Sequence, residues 1–315
     1  MRALAVLSAI LLSSSACTTA KPAVGRSNKQ NPALLTQVSG LAPSMGQILE
    51  KSPASDWRTI DPGNTLYMEM PAGRIVIELA PTFAPNHVKN IKALLKEHYF
   101  DGAFIVRSQD NYVAQWGWPD DMPHKPKHAK AKLKAEFDGP LQKDLPFTAL
   151  SDPDSYAPKV GFTLGFPVAM DESLGKEWLA HCYGMVGVGR DLDADSGNGG
   201  ELYAVNGHSP RHLDRNVTLV GRIVQGMELL SVLPRGTGDL GFYKTAAERT
   251  QIKSIELASD VPPAERTDLE ALKTDSMSFA ALIQSRRSRH EDFFKVPTDH
   301  IGLCNVPLPV RAAHK

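Results

Sequence analysis

Apolar positions along this chain follow two periods, and the places where each holds predict the order of elements. In "NTLYMEMPAGRIVIELAP", Leu66, Met68 and Met70 alternate with polar neighbours, as do Ile75, Ile77 and Leu79, and "PAG" separates the runs. Alternation with period two on both sides of a turn signal predicts a β-hairpin. The period then changes. In "APNHVKNIKALLKEHYFDG", Val88, Ile91, Leu94 and Leu95 recur at helical spacing, Pro85 suits a first helical turn, and Gly102 closes the segment. β-Branched and aromatic residues in "FIVRSQDNYVAQWG" (104–117) predict two strands about a polar turn. Strand patterns return in "CYGMVGVGR", "ELYAV" and "NVTLVGRIV"; "GMELLSVL" reads as a short helix and "IKSIEL" as a last strand.

Between and around these blocks the pattern is weak. Residues 119–180 are proline-broken and basic at first, then loop-like, which predicts a loop-rich insertion with one short helix, carried on one domain. Residues 21–61 are rich in Ser, Pro, Asn and Gly and read as a tether and loosely packed lead-in. Residues 261–315 form a polar C-terminal extension with an amphipathic helix around Met277 to Ser288. The order β-β-α-β-β, insertion, β-β-β-α-β, dominated by hairpin-like runs, predicts a mainly β domain over 62–260. A closed antiparallel barrel with flanking helices fits it better than a βαβ sheet.

Composition adds exclusions. The chain is 42% hydrophobic and 22% charged, and Lys plus Arg equals Asp plus Glu at 35 each, so no global charge recommends nucleic acid as a partner. The N-terminus "MRALAVLSAILLSSSACTTA" (1–20) has an early arginine, an apolar run from Ala3 to Leu12 and then small residues. That run is too short to span a bilayer and suits an export signal. Its end at Cys17 resembles a bacterial lipoprotein signal, in which the cysteine is acylated, although Ser14 stands where leucine is usual. Ordinary cleavage near Ala16 or Ala20 is the alternative. Either places the protein outside the cytoplasm, in the periplasm, touching a membrane only through a lipid anchor. Cys182 and Cys304 then remain, as a disulfide or as two buried thiols.

Arg107 and Gln115 interrupt apolar strand runs. For an isolated pair, a solvated sheet face would explain them. Here they sit in a longer order: "GRIVIEL", a helix with "AP..V.NI..L", "YFDGAFIVR", Tyr112 five and Gln115 eight residues after Arg107, then "GMVGVGR", "LYAV" and "HLDRNVTLVGRIVQGMELL". From Leu66 to Leu257, minus the insertion, this order resembles the cyclophilin family of peptidyl-prolyl isomerases. The resemblance implies a barrel with an apolar groove for a proline ring, an arginine at its rim, proline-containing polypeptide segments as substrates, no metal or cofactor, and a monomer. By position, Arg107 and Gln115 match the catalytic arginine and glutamine. Tyr112, Val113, Tyr203 and Leu213 match apolar groove residues, and Glu201 matches a glutamine that touches the substrate backbone. Tyr112 and Gln115 are three apart, so a bulge or bend is needed if both face one groove.

The departures from the family pattern are specific. "GELY" (Gly200 to Tyr203) replaces "SQFF", which brings the Glu201 carboxylate toward Arg107, either to clamp it or to pair with it and weaken its donor. Gly189 replaces an alanine, His212 stands where some members carry a tryptophan, and Val217 replaces a pocket histidine. These imply altered catalysis and poor cyclosporin affinity. Two functions are therefore expected: an isomerase acting on exported proteins, or a peptide-binding or chaperone module with little turnover. If Glu201 masks Arg107, turnover should rise on its protonation. Asp191, Asp193 and Asp195 resemble a calcium loop, but Ser196 occupies the obligatory glycine position and Glu201 comes one residue early. Pro126 between His124 and His128 argues against a helical metal pair.

Overall fold

Strands Thr65–Met70 and Gly73–Leu79 pair antiparallel from Thr65–Glu78 to Met70–Gly73, with Pro71 and Ala72 at the turn. The computed structural model to which they belong describes residues 43–289, 291 and 293–313. The export signal with Cys17, and the tether up to residue 42, lie outside the described residues. The alternating positions Leu66, Met68, Ile75 and Ile77 are fully buried, and helix Pro85–Lys96 lays Val88, Ile91 and Leu94 in the same core. Pro85 stands at the first helical position, as its fixed φ and missing N–H favour. The helix stops well before Gly102, because His98 turns to a φ of 56°.

Nine strands form the main sheet, in spatial order Thr250–Gln251, Phe104–Ser108, Val113–Gly117, Leu202–Val205, Met185–Val188, Leu219–Gln225, Gly73–Leu79, Thr65–Met70 and Ser254–Leu257. The expected closed barrel is corrected here to a curled sheet with two edges. Those edges are consecutive pieces of one segment. Ile252 N–H donates to Ala103 O at 2.7 Å, whereas Lys253 N–H donates to Glu69 O at 2.9 Å. One residue thus bonds to one side of the sheet and the next to the other, so the ladder breaks between them.

The insertion keeps long loops, but in place of the expected short helix it carries a sheet. Its strands Gly139–Pro140, Lys176–Leu179, Phe166–Asp171, Lys159–Thr163 and Thr148–Leu150 form a five-stranded antiparallel sheet in that order. Val160, Phe162, Val168, Ala169 and Met170 are all buried, so neighbouring residues point into apolar surroundings on both faces and no period-two signal survives. The hairpin turn is Leu164–Gly165, both at positive φ, with leucine where asparagine or glycine would have announced it.

The described part of the lead-in is packed rather than loose. Helix Met45–Lys51 starts in a capping box between Ser44 and Gln47, and buries Ile48 in the core of the insertion. Strand Trp57–Thr59 pairs with Leu269–Leu272, which pairs with Val310–Ala312. The extension contributes helix Met277–Arg287, capped by Ser276, with Phe279 edge-on to Phe162 at 5.1 Å between centroids. Lead-in, insertion and extension therefore share a second core, and the Cys182–Cys304 disulfide ties the extension to the chain entering strand Met185–Val188. Among the described residues, no helix is long and apolar enough to cross a membrane.

Candidate functional site

Strand register explains why a guanidinium and an amide occupy these strands. Arg107 lies opposite Gln115, Gln115 opposite Tyr203, and Tyr203 opposite Gly187, one row across four neighbouring strands. Directly opposed residues share a face. The other face presents Ile105, Ala114, Trp116, Leu202, Ala204 and Val186 to the main core. In a regular strand Ile105 and Arg107 would point the same way; the register shift between them, at Val106, sends Ile105 inward and Arg107 outward. The bend that lets Tyr112 and Gln115 share a face is a separate one: the chain bends at Tyr112, which precedes strand Val113–Gly117 and follows Asn111 at a φ of 50°.

Arg107 is held from three sides. Its Nε donates to Leu240 O at 2.7 Å, Nη1 to Gln115 Oε1 at 3.2 Å, and Nη2 to Gln109 Oε1. A guanidinium has five N–H donors, so two remain uncommitted after these three bonds. Its carbon lies 5.4 Å from the Tyr112 ring centre and 5.0 Å from that of Phe242. Burial pulls its pKa below the ordinary arginine value, opposed by Tyr112 and Glu201.

Glu201 meets Arg107 through an intermediary. Gln115 Nε2 donates to Glu201 Oε1 at 2.6 Å, which fixes the amide so that Oε1 faces the guanidinium. Neither the direct clamp nor the direct pair expected from the sequence is formed. The carboxylate fits because Gly117 and Gly189 flank it: a Cβ on Gly117 would lie 3.2 Å, and one on Gly189 3.1 Å, from Glu201 Cγ. Burial raises the Glu201 carboxyl above its ordinary range, with Gln115 and Arg107 working against the rise.

Val113, Tyr203 and Val205 form a small apolar cluster with Tyr112 and Val217 against it. A groove of about 750 Å³ opens over this floor, lined among others by Arg107, Tyr112, Val113, Gln115, Tyr203 and Leu213. Six of the seven positions assigned to the site from sequence therefore converge. Glu201, the seventh, backs Gln115 and is not among the lining residues. His212 stacks on Tyr112 with its ring 6.4 Å away and nearly parallel. Sequence reading missed Gln109, Leu240 and Phe242 around Arg107, and the side chains behind Tyr203. Leu240 lies 133 residues from Arg107, and no local pattern connects them.

Comparison with known proteins agrees with this geometry. The family model "Cyclophilin type peptidyl-prolyl cis-trans isomerase/CLD" matches residues 65–257, more than half of the chain. A probable peptidyl-prolyl cis-trans isomerase of Brucella suis is 25% identical over 203 residues, covering 64% of this chain and 85% of that protein. One of Brucella abortus is 24% identical over the same length. The crystal structure of cyclophilin AquaCyp293 from Hirschia baltica superposes with a TM-score of 0.64 at 25% identity, covering 82% of this chain and 95% of that one.

Proposed function

The chain belongs to the cyclophilin-type peptidyl-prolyl cis-trans isomerase family, and from that premise we propose that it rotates Xaa-Pro bonds of exported polypeptides, with Arg107 polarising the prolyl imide. Prolyl rotation is slow because amide resonance must be broken, a barrier of ~18–20 kcal/mol. A donor that favours the pyramidal, unconjugated nitrogen lowers that barrier without any covalent step. The observation that carries this reading is Arg107 itself, fixed by three hydrogen bonds beside the apolar floor of a groove whose far side carries Arg190, Asp191 and Asp193, with two N–H groups still free. Gln115 holds the guanidinium, and Tyr112, Val113, Tyr203 and Leu213 receive the proline ring and its neighbours. An acceleration of ~10⁵-fold corresponds to about 7 kcal/mol, within reach of a preorganised charged donor in a site of this kind.

Export is supported by the signal-like pattern of residues 1–20 and by the Cys182–Cys304 disulfide, a bond that persists in oxidising compartments. On this reading Cys17 carries lipid, the chain works as a monomer at the periplasmic membrane face, and its partners are proline-containing segments. The test is NMR exchange spectroscopy on an Ala-Pro peptide mixed with the chain from residue 21 onward. Faster cis-trans exchange upholds the proposal. Binding with exchange left at the uncatalysed rate would make the chain a peptide-binding module of this fold.

A further inference from the structure

Behind the groove floor, five side chains form a continuous polar chain that the isomerase reading does not use. Tyr203 Oη lies 3.0 Å from His181 Nε2, and His181 Nδ1 lies 2.9 Å from Asp214 Oδ1. The same Oδ1 accepts the His181 backbone N–H at 2.9 Å, and Asp214 Oδ2 accepts Arg211 Nε at 2.5 Å. Arg211 then grips Asp154 of the insertion through Nη1 at 2.9 Å and Nη2 at 3.2 Å. His181 is wholly inaccessible to solvent, and Arg211 and Tyr203 nearly so.

The directions of these bonds follow from the partners. Asp214 accepts at Oδ1, so His181 carries its proton on Nδ1 and leaves Nε2 to accept the Tyr203 hydroxyl proton. Burial also disfavours the charged imidazole, and Asp214 only partly offsets this. The phenol lies over the bare backbone of Gly187, directly opposite it, in the space a side chain would fill: a Cβ there would sit 2.3 Å from Tyr203 Cζ and Oη. Asp214 directly follows Leu213, which lines the groove wall. Floor and wall are thus fastened to the same carboxylate, one through His181 and the other through the backbone.

We propose that His181 is a positioning residue of the groove: it locks the Tyr203 ring under the proline-binding surface and links that ring, through Asp214 and Arg211, to Asp154 of the insertion. This rests on the groove being the prolyl-peptide site. The insertion thereby helps to set the shape of the groove without touching substrate, and the Tyr203 hydroxyl serves as the point of attachment.

The experiment compares His181→Asn, His181→Gln, Tyr203→Phe and the double variant His181→Asn/Tyr203→Phe in the full mature chain. An asparagine amide can still meet Asp214 but falls short of Tyr203; the longer glutamine places an oxygen where Nε2 was and can accept the phenol proton. His181→Asn and Tyr203→Phe should each raise KM for an Ala-Pro peptide about fivefold with kcat changed less than twofold. His181→Gln should stay within twofold of wild type in KM, and the double variant should be no worse than Tyr203→Phe alone. Independent of any ligand, ¹⁵N NMR of the wild type should show His181 as the Nδ1–H tautomer. An unchanged KM in Tyr203→Phe, additive effects in the double variant, or the Nε2–H tautomer overturns the proposal. If His181→Asn fails to fold, Tyr203→Phe reads the same bond from its other end. A wild type that neither binds nor turns over the peptide defeats the isomerase reading, and the tautomer then decides this one.

Discussion

Replacing Cys304 with serine removes the covalent tie between the C-terminal extension and the chain that enters strand Met185–Val188. The bond joins residues 122 apart in sequence, so its loss releases a long loop in the unfolded chain. Loop-closure entropy for that length corresponds to about 5 kcal/mol at 25 °C, an upper value because real unfolded chains retain some order. For a chain of this size that is a fall in melting midpoint of about 10 °C. Most of the loss should appear in the second core, where Phe279, Leu282 and Leu303 of the extension meet Phe162 and Met170 of the insertion. The assay is thermal unfolding followed by near-ultraviolet circular dichroism, run on wild type, Cys304→Ser and the Cys182→Ser/Cys304→Ser double variant, oxidised and reduced. Reduction should bring wild type down to the variants and leave the variants unmoved. A Cys304→Ser midpoint within ~2 °C of oxidised wild type would refute the view that this bond fastens the extension.

Four other expectations follow from the same geometry. Burial raises the Glu201 carboxyl, so the folded chain holds a proton there more readily than the unfolded chain, and this contribution favours folding below the ordinary carboxylate range and is lost as pH rises through the raised folded value. Glu201→Gln should therefore be more stable than wild type at pH 7 by denaturant titration, with the gap closing below ~pH 4; a variant less stable at pH 7 would contradict it. Because Glu201 meets Arg107 only through Gln115, wild-type kcat/KM should fall on acidification while Glu201→Gln holds level, the reverse of a masking carboxylate; an acid-side rise in wild type would restore the masking view. Glu78 is buried between Arg58 at 2.6 Å and Arg222 at 3.3 Å, so Glu78→Gln leaves the buried Arg222 uncompensated and should cost about 3–5 kcal/mol in urea unfolding. Gly187→Ala forces a methyl group into the Tyr203 phenol and should cost about 1–3 kcal/mol and weaken peptide binding; wild-type affinity there would mean that the ring has room to move.

How much could be read from the sequence depended on whether polar residues marked one face of each element. The helix at Val88, Ile91, Leu94 and Leu95 has one wet and one dry side, so its period is visible. The hairpin 65–79 is buried on both faces, but its second face carries the paired charges Glu69, Arg74 and Glu78, so the alternation survives in the sequence. The strands Lys159–Thr163 and Phe166–Asp171 are buried on both faces with no charge inside them to mark either one, so no period shows in their sequence. Strands Trp57–Thr59, Leu269–Leu272 and Val310–Ala312 form only by pairing across the chain, Trp57 with Leu272 and Ala271 with Val310, which no local window shows. At the site, the family-like spacing located Arg107, Tyr112 and Gln115. It could not show that the Arg107 Nε ends on the Leu240 carbonyl, that a bulge at Val106 turns the guanidinium outward, or that Tyr203 is held by His181.

The most direct test of the central claim is a protease-free isomerisation assay on an Ala-Pro peptide with wild type, Arg107→Lys and Arg107→Ala, each confirmed folded. Wild type should accelerate exchange, and Arg107→Ala should lose about 100-fold to 1,000-fold in kcat/KM, as removal of a preorganised donor does elsewhere. Arg107→Lys should recover little, because a point charge cannot meet Leu240, Gln109 and Gln115 together and still donate to the imide. An Arg107→Ala variant as active as wild type would mean that the guanidinium does not polarise the imide.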